Sequence, residues 1–277
     1  MINYLKTVLY GYLLFCSLCF ASFTVTESFI DLGETRILRR HYSEVSSTQD
    51  EIEKYLDNIS PHQWVMVSAE RQEVGKGLWG RRWVSPEGNV FLTYCLFMEP
   101  IRARYLPIIP ALAVRNTLAD FGVKSSKIRW VNNIVVNDQI NDKKIGGILC
   151  EGVFQFPYFR AKIGIGINVN MTKEVCDTID QPVTSLLCLL KNQVSTEDVI
   201  QKVTQHLYAL LSNPRNDAGL IPDYRRSLTY TGEKVQIFDG KKYYEGVFKG
   251  VNDFGHLILE MASGEKTFSS GEIVPRP

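Results

Sequence analysis

Residues 74–97 read VGKGLWGRRWVSPEGNVFLTYCLF, in which three closely spaced glycines are followed by an apolar, β-rich run. Gly75, Gly77 and Gly80 spell G-x-G-x-x-G, the glycine pattern of a dinucleotide-binding turn. Such a turn must open a helix whose N-terminus receives the pyrophosphate, but a β-rich run follows here. A P-loop would need lysine and then serine or threonine after the last glycine, where two arginines stand. The stretch therefore predicts a glycine-rich loop between two β-strands and excludes both kinds of turn.

The predicted loop carries three cations, Lys76, Arg81 and Arg82. Glycines let the backbone approach a ligand closely, and the cations suit a phosphate or a carboxylate. The alternative is a mobile surface hairpin with solvated charges. The loop alone leaves both interpretations open.

Length and charge limit the choice of class. The chain has 277 residues, enough for one large domain or for a main domain with a small appendage. Its 31 Lys and Arg residues balance 30 Asp and Glu residues, so the net charge of +1 predicts no broad surface for DNA or RNA. The six cysteines lack the paired C-x-x-C spacing of a zinc site, and we expect reduced thiols.

Hydrophobic periodicity predicts irregularly interleaved helices and strands. The first helix is expected to open with a capping box formed by Thr48 and Glu51. Helices are predicted at 48–59, 106–122 and 195–211, and strands at 64–70, 89–97, 128–131, 134–137, 144–154 and 159–170. This order is typical of an α+β fold in which a mixed sheet carries helices on one face. Beyond residue 229, short strands predict a small β-barrel.

Five segments match, in order, the motifs of one enzyme family. They are SSTQ at 46–49, the glycine loop with SPEG behind it at 75–88, RWVNN at 129–133, KKIGGILCE at 143–151 and GIGINVN at 164–170. These resemble S-S-T-N, G-R-G-R-x-G-R-x-W, K-W-P-N-D, K-[KR]-[LIV]-x-G-I-L-x-E and G-x-G-[IL]-N of the biotin protein ligases. The likeness runs from about Tyr42 to the C-terminus, where the small β-domain resembles the family's SH3-like domain.

The resemblance implies a two-step reaction. The carboxylate of biotin attacks the α-phosphate of ATP to give biotinyl-AMP and pyrophosphate, and a lysine of a carboxylase carrier domain then takes the biotinyl group. Joining a carboxylate to a polyphosphate needs fixed cations and Mg²⁺ more than an acid or a base. The expected catalytic residues are Lys144 on the carboxylate and Lys76 and Arg81 on the phosphates. The glycine loop is expected to close over the adenylate and exclude water.

The resemblance assigns further residues to each substrate. For biotin these are Ser47, Thr48, Gln49, Gln72, Gly75, Lys76, Gly77, Leu78, Lys144 and Gly147. For ATP and the adenylate they are Gly80, Arg81, Trp83, Arg129, Asn132, Asn133 and Asn168, and Asn133 is also the expected Mg²⁺ ligand. Simpler interpretations stay open: a helix cap for Ser47 and Thr48, a polar strand residue for Gln72, a solvated charge for Lys144, packing for Trp83 and a turn for Asn168.

The sequence departs from the family pattern within these motifs. Leu78 replaces a cation of the glycine loop and is followed by Trp79, while Arg129, Val131 and Asn133 replace lysine, proline and aspartate. An asparagine accepts a hydrogen bond but supplies no charge, so the Asn133→Asp change is expected to raise turnover. These departures leave open a slower ligase, a lipoate or octanoate ligase, and a non-catalytic biotin-binding protein.

Octanoyl transfer through a thiol would need an activated cysteine. Cys150 lies in an apolar strand beside Glu151, which raises the pKa of a thiol and makes a poor nucleophile. The glycine loop, KKIGGIL and the C-terminal domain together favour biotin.

We expect three regions: an apolar leader or extension at 1–40, a biotin/lipoate ligase-like catalytic domain at 41–228 and an SH3-like domain at 229–277. The first region lacks the basic, helical character of the DNA-binding module that some relatives carry, so we expect a cytoplasmic enzyme without a nucleic-acid partner. A homodimer stays open. For TVLYGYLLFCSLCFAS at 7–22, a secretory signal or short anchor, an organellar leader and a wrongly chosen start codon stay open.

Overall fold

The structure, a computed structural model, describes residues 24–61, 63–137, 142–214 and 217–274. The apolar stretch at 7–22, with Cys16 and Cys19, lies outside these ranges. Within the ranges, no helix has the length and apolar character needed to cross a bilayer. The cysteines that they contain, Cys95, Cys150, Cys176 and Cys188, are free thiols, as predicted.

An eight-stranded sheet forms the larger part of the fold, with the strand order β1-β2-β3-β6-β10-β9-β8-β7. Its strands are β1 (Val25–Leu32), β2 (Thr35–Val45), β3 (Gln63–Gln72), β6 (Val90–Met98), β7 (Ser126–Arg129), β8 (Asn133–Asn137), β9 (Asp142–Gln155) and β10 (Tyr158–Ile167). β2 and β3 are parallel, and the other neighbours pair antiparallel. The predicted mixed sheet is therefore confirmed. β4 (Gly75–Lys76) and β5 (Arg82–Trp83) form a separate short ladder at the glycine loop.

Helices cover the two faces of this sheet unequally. They are α1 (Thr48–Glu51), α2 (Ile108–Asp120), α3 (Lys173–Cys176), α4 (Leu186–Leu190), α5 (Thr196–Ser212) and α6 (Asp217–Ser227). Leu112, Val203 and Tyr224, from the long helices α2, α5 and α6, share the main core on one face, as predicted. Ile52 packs with Val65 in a smaller core on the opposite face, because alternate residues of β3 point to opposite sides.

The first helix is built differently from the predicted capping box. Ser47 is the N-cap residue, and its hydroxyl accepts a hydrogen bond from Gln49 N at 3.3 Å. Only one α-helical turn follows before the chain tightens into a 3-10 helix at Ile52–Asn58. Because Ser47 caps the helix, the buried hydroxyl of Thr48 is available for contacts across the sheet.

The sheet starts upstream of the domain boundary expected at residue 41. β1 and β2 form an edge hairpin whose turn holds Gly33 in the left-handed region, at φ +57°. The buried Arg39 of β2 donates to both carboxylate oxygens of Glu197 at 2.6 and 2.7 Å, which ties the hairpin to α5. The frequent charges of 27–40 fit a half-exposed edge hairpin and obscured its strands in the sequence.

The C-terminal region forms a second, antiparallel sheet with the order β14-β13-β12-β11-β15. Its strands are β11 (Lys234–Phe238), β12 (Tyr243–Val251), β13 (Leu257–Met261), β14 (Gly264–Phe268) and β15 (Glu272–Val274). The predicted small β-domain is confirmed, although β14 and β15 do not pair and the sheet is not a closed barrel in the described part of the chain. Trp130 Nε1 donates to Gly255 O at 2.9 Å and fastens this domain to the larger sheet.

Candidate active site

A cleft opens where β3 ends and β6 begins, at the level where Ala69 pairs with Phe91. All five matching segments of the sequence contribute to its lining. Of the residues assigned from the sequence, it is lined by Ser47, Thr48, Gln49, Gln72, Lys76, Gly77, Leu78, Arg81, Trp83, Asn132, Asn133, Lys144 and Gly147. Gly75, Gly80, Arg129 and Asn168 do not line it.

One end of the cleft is built from amide and hydroxyl groups. Gln72 Oε1 accepts hydrogen bonds from Thr48 N at 2.8 Å and Thr48 Oγ1 at 3.2 Å. Thr93 Oγ1 donates to Thr48 Oγ1 at 2.9 Å, and Gln72 Nε2 donates to Ser85 Oγ at 2.9 Å. Gln72 is thus a hub of the site and not simply a polar strand residue.

Gln49 forms the floor of this end. Its Nε2 donates to Leu149 O at 2.9 Å, while its buried Oε1 has no partner among the described residues. A Cβ at Gly164 would lie 2.5 Å from Gln49 Nε2, so glycine there makes room for the side chain. A buried carbonyl left unpaired costs about 1–3 kcal/mol. The unpaired oxygen therefore suits a ligand that brings an N–H group.

Trp83 forms an apolar wall over two glycines. Gly147 and Gly166 are cross-strand partners, and a Cβ at either position would come within 2.7 Å of the Trp83 ring. Lys144 Nζ lies 4.8 Å from the centre of the same ring, in a cation–π contact. The wall thus runs along the glycines and ends at an ammonium group.

The surroundings of Lys144 disfavour its protonated form. Desolvation is the main cause that lowers the pKa of Lys144 to about 8; the Glu272 carboxylate acts against it, and the charges of Arg129 and Arg81 add to it. An anion placed beside this ammonium would raise the pKa of Lys144 again, because a negative charge favours the protonated form.

The backbone of Lys144 is clamped by the segment that follows β10. Lys144 N donates to Pro182 O, and Thr184 N donates to Lys144 O, both at 2.9 Å. The buried Asn168 braces this segment, since its Nδ2 donates to Thr184 O at 3.0 Å. Asn168 thus supports the position of Lys144 from outside the cleft.

The glycine loop is a short hairpin whose cations already have partners. Lys76 forms an ion pair with Asp50 of α1. A Cβ at Gly75 would lie 2.5 Å from Ser85 Oγ, and Gly80 has a left-handed φ of +73°. These two glycines therefore shape the loop, although neither lines the cleft.

A carboxylate from the C-terminal domain holds two of the residues that line the cleft. Glu272 is buried and accepts hydrogen bonds from Arg81 Nη2 and, at 3.0 Å, from Asn133 Nδ2. Arg81 is thereby held across the domain boundary. The amide of Asn133 fits this arrangement because it donates to the acid.

The Asn133→Asp change is expected to destabilise the protein, which revises the expectation drawn from the sequence. An aspartate would face Glu272 where an amide now donates to it at 3.0 Å. Losing the bond and opposing two carboxylates should lower the free energy of unfolding by about 1–3 kcal/mol. Urea unfolding at pH 7 measures this, and Asn133→Asp combined with Glu272→Gln should recover most of the loss. An Asn133→Asp variant as stable as the parent would contradict it.

Two more residues assigned to ATP keep unpaired polar atoms. Asn132 Nδ2 donates to Ile148 O at 2.7 Å, and its Oδ1 has no partner in the described ranges. Arg129 is buried, and its Nε is likewise without a partner there. Arg129 faces an adjoining cavity of about 1040 Å³, which shares Arg81 and Gln181 with the cleft. Unpaired polar atoms thus occur both in the cleft, at Asn132, and in the adjoining cavity, at Arg129.

Protein oxygens suited to a metal are sparse here. Among the described residues, no three His, Cys, Asp or Glu side chains come together as a metal site. Asn133, the expected Mg²⁺ ligand, has its amide nitrogen committed to Glu272. The donor set does not fit a magnesium ion held by the protein alone, whereas Mg²⁺ carried by nucleotide phosphates needs only one or two protein oxygens.

Two acidic residues of the site were missed in the sequence. Asp50 directly follows SSTQ, and a negative charge beside that motif was a usable signal. Glu272 lies 139 residues from Asn133, and nothing local in the sequence connects the two. Only the docking of the C-terminal domain brings it beside Arg81 and Asn133.

The mixed sheet, the appended β-domain and the cleft below a glycine loop define the class of biotin and lipoate ligases. The profile of the biotin/lipoate A/B protein ligase family matches residues 42–168, and that of the biotin protein ligase C-terminal domain matches residues 230–276. Together with the relatives below, these matches show that the chain belongs to the biotin protein ligase family.

Two relatives carry ligase names, and a solved structure shares the fold. The bifunctional ligase/repressor BirA of Bacillus spizizenii is 30% identical over 268 residues, which cover 90% of this chain and 78% of that protein. The biotin–[acetyl-CoA-carboxylase] ligase of Paracoccus denitrificans is 26% identical over 237 residues, which cover 82% of this chain and 96% of that protein. The biotin protein ligase from Aquifex aeolicus, solved with biotin and ATP, has the same fold, with a TM-score of 0.69 at 24% identity over 88% of this chain and 99% of that one.

Proposed function

We propose that this protein is an ATP-dependent biotin protein ligase, which forms biotinyl-AMP and transfers biotin to a lysine of a carboxylase carrier domain. Family membership and the named activity of the Paracoccus relative support this. One observation carries the proposal: Lys144, with its ammonium over the Trp83 ring, lines the same cleft as the amide-lined end and the cationic glycine loop.

The amide-lined end suits the ureido ring of biotin, which offers two N–H donors and a carbonyl acceptor. Gln49 Oε1, without a partner in the described part of the chain, would accept one N–H, while the hydroxyls of Ser47 and Thr48 supply donors and acceptors beside it. The Trp83 wall would receive the aliphatic chain. The carboxylate then reaches Lys144.

In the first step, a carboxylate oxygen of biotin attacks the α-phosphorus of ATP, and the bond to the bridging oxygen breaks to release pyrophosphate. Lys144 holds the carboxylate, and Lys76 and Arg81 of the loop neutralise the phosphates. Both loop cations would exchange acidic partners, Asp50 and Glu272, for phosphate oxygens. Fixed cations lower the barrier by reducing the repulsion between the two anions as they meet and by stabilising the charge that develops on the leaving pyrophosphate.

In the second step, the neutral amine of the carrier lysine attacks the acyl carbon of biotinyl-AMP. The bond to the phosphate oxygen breaks, AMP leaves and an amide forms with loss of a proton. Asn132 and Arg129, each with a polar atom unpaired among the described residues, are suited to hold the AMP portion. Leu78 lines the cleft from the loop and would help to exclude water.

Magnesium enters this scheme as part of the MgATP substrate. The phosphates would supply most of its ligands, and the side-chain oxygen of Asn133 is the protein ligand expected from the sequence. We further propose a cytoplasmic enzyme without a nucleic-acid partner, which the balanced charge supports. The homodimer stays a prediction.

The direct test is incubation of the purified full chain with biotin, MgATP and a carrier domain. Mass spectrometry should find biotin on one carrier lysine, with one pyrophosphate released per biotin. Tight biotin binding without pyrophosphate release would replace the proposal with the non-catalytic binding protein. Transfer of lipoate in preference to biotin would favour the related ligase.

A thiol-dependent octanoyl transfer is disfavoured by the structure. Burial, and secondarily the charge of Glu151, raises the pKa of Cys150. A thiol in this state stays protonated at neutral pH and is a weak nucleophile.

Biotin binding is expected to weaken above pH 8. Lys144 is protonated well below its pKa of about 8 and loses its charge above it. Calorimetry in buffers of different ionisation enthalpy should therefore show uptake of about half a proton per biotin at pH 8, and almost none at pH 6.5. Lys144→Arg should abolish the uptake, because arginine stays charged. Equal proton uptake by the parent and by Lys144→Arg would contradict this role.

A further inference from the structure

The residue at the tip of the glycine loop has a conformation that needs an explanation. Trp79 lies in the turn Leu78–Gly80 with φ 55° and ψ 36°, in the left-handed region that residues with a Cβ rarely adopt. A tryptophan in this conformation must be held by contacts outside its own turn.

Those contacts come from the C-terminal domain. The Trp79 ring packs edge-on against Phe238, with ring centroids 5.2 Å apart and an interplanar angle of 82°. A Cβ at Gly240 would lie 3.1 Å from Trp79 Nε1, so the glycine leaves room for the indole. Phe238 itself packs against Tyr243, with ring centroids 4.8 Å apart and an interplanar angle of 32°. Phe238, Gly240 and Tyr243 form what we call the aromatic socket.

The socket acts on the part of the loop that carries the cations. Arg81 lies over the Trp79 ring, 5.3 Å from its centroid, and also reaches Glu272. The loop's own ladder consists of Gly75 with Trp83 and Lys76 with Arg82. Beyond this ladder the tip is closed by two backbone hydrogen bonds, from Gly77 N to Arg81 O at 2.7 Å and from Arg81 N to Leu78 O at 3.2 Å. The Trp79 ring adds contacts with the C-terminal domain that tie this closed tip to its neighbour.

We propose that Trp79 is a positioning residue, whose docking in the aromatic socket keeps the glycine loop closed and retains the acyl-adenylate until the carrier amine arrives. The proposal deepens the proposed function and rests on it. When the loop opens, water adds to the acyl carbon, the bond to the phosphate oxygen breaks, and biotin and AMP are lost. Trp79 stands beside Leu78, where the family has a cation, so docking onto the neighbouring domain replaces attraction to the adenylate.

The test compares Trp79→Ala, Trp79→Phe and Phe238→Ala with the parent full-length protein, using biotin and MgATP without a carrier. The parent should release one burst of pyrophosphate and then turn over slowly. In Trp79→Ala and Phe238→Ala the rate after the burst should rise about three- to tenfold, the shift that loss of one aromatic pair produces. The burst amplitude should be unchanged, and Trp79→Phe should stay within about twofold of the parent because it keeps a ring in the socket. The Trp79→Ala/Phe238→Ala double variant should be no faster than either single one.

A second readout needs no substrate. Trypsin should cut after Arg81 or Arg82 about three- to tenfold faster in Trp79→Ala, because proteolysis follows the open population. Phe254→Ala is the control, since it removes an exposed aromatic ring of the C-terminal domain that is not part of the socket. Thermal unfolding reports on the fold of every variant.

Unchanged leakage and unchanged trypsin cleavage in Trp79→Ala would overturn the positioning role while leaving the ligase function intact. A change that Phe254→Ala shares, in step with a fall in thermal midpoint, would also overturn it by showing general destabilisation. A parent protein without any pyrophosphate burst would refute the proposed function, and trypsin cleavage would still decide whether Trp79 holds the loop.

Discussion

Replacing Lys144 with methionine is expected to lower kcat/KM for biotin by about 100- to 1,000-fold, the usual effect of removing one preorganised charge from a reacting oxygen. Methionine keeps most of the packing volume beside Trp83 and removes only the ammonium. Its loss leaves two anions to meet without the cation that the desolvated environment makes effective. The measurement is pyrophosphate release at saturating MgATP over a range of biotin concentrations.

The controls separate charge from fold. Lys144→Arg should retain more activity than Lys144→Met, because it keeps a cation at the end of the wall. Lys127→Ala removes an exposed lysine of β7 and should behave as the parent. If Lys144→Met stayed within about threefold of the parent, the ammonium of Lys144 would have no part in stabilising the reacting carboxylate.

Gly166→Ala is expected to reduce activity by about 10- to 100-fold and stability by about 1–3 kcal/mol, the range for overpacking a filled site. The added methyl group would lie 2.7 Å from the Trp83 ring and would push it off the sheet into the space reserved for substrate. The ring also positions Lys144, so binding and chemistry should both suffer. Biotin titration and pyrophosphate kinetics measure the two effects.

The matched control for this change is Gly219→Ala. Gly219 lies in α6, where an added methyl group would meet nothing within 4 Å among the described residues. The substitution should therefore leave activity unchanged and stabilise the helix slightly. Gly166→Ala combined with Trp83→Phe should recover part of the lost stability, because the smaller ring relieves the contact. Wild-type activity and stability in Gly166→Ala would show that the ring is free to move and is no fixed wall.

Much of the site could be predicted from local sequence. The β-rich run after the glycine loop excluded a dinucleotide turn, and the structure places a strand, Val90–Met98, where that turn would need a helix. The positions within each motif were informative because a strand or a tight turn holds them in a fixed relation. Gly147 and Gly166, for example, meet as strand partners under one tryptophan.

What could not be predicted depends on contacts between distant segments. In the sequence, Asn133 replaces the aspartate of the family motif. In the structure, the carboxylate of Glu272, from the C-terminal domain, accepts a hydrogen bond from the Asn133 amide at 3.0 Å. Lys76 and Arg81 look like free cations in the sequence, but both have carboxylate partners. The capping box predicts Thr48 as the helix cap, and its neighbour Ser47 takes that place. Such pairings depend on how distant segments pack together, and no short stretch of the sequence shows this.

The edge hairpin formed by β1 and β2 has a practical consequence for how the protein is produced. The family profile begins at residue 42, which invites a shortened protein that starts there. β2 pairs with β3 from Arg36 opposite Gln63 to Val45 opposite Gln72. A truncation at residue 42 would strip most of that ladder and leave the backbone of β3 bare, as a template for association with other chains. An expression fragment intended for crystallisation should therefore retain Val25, or it is expected to aggregate before its activity is measured.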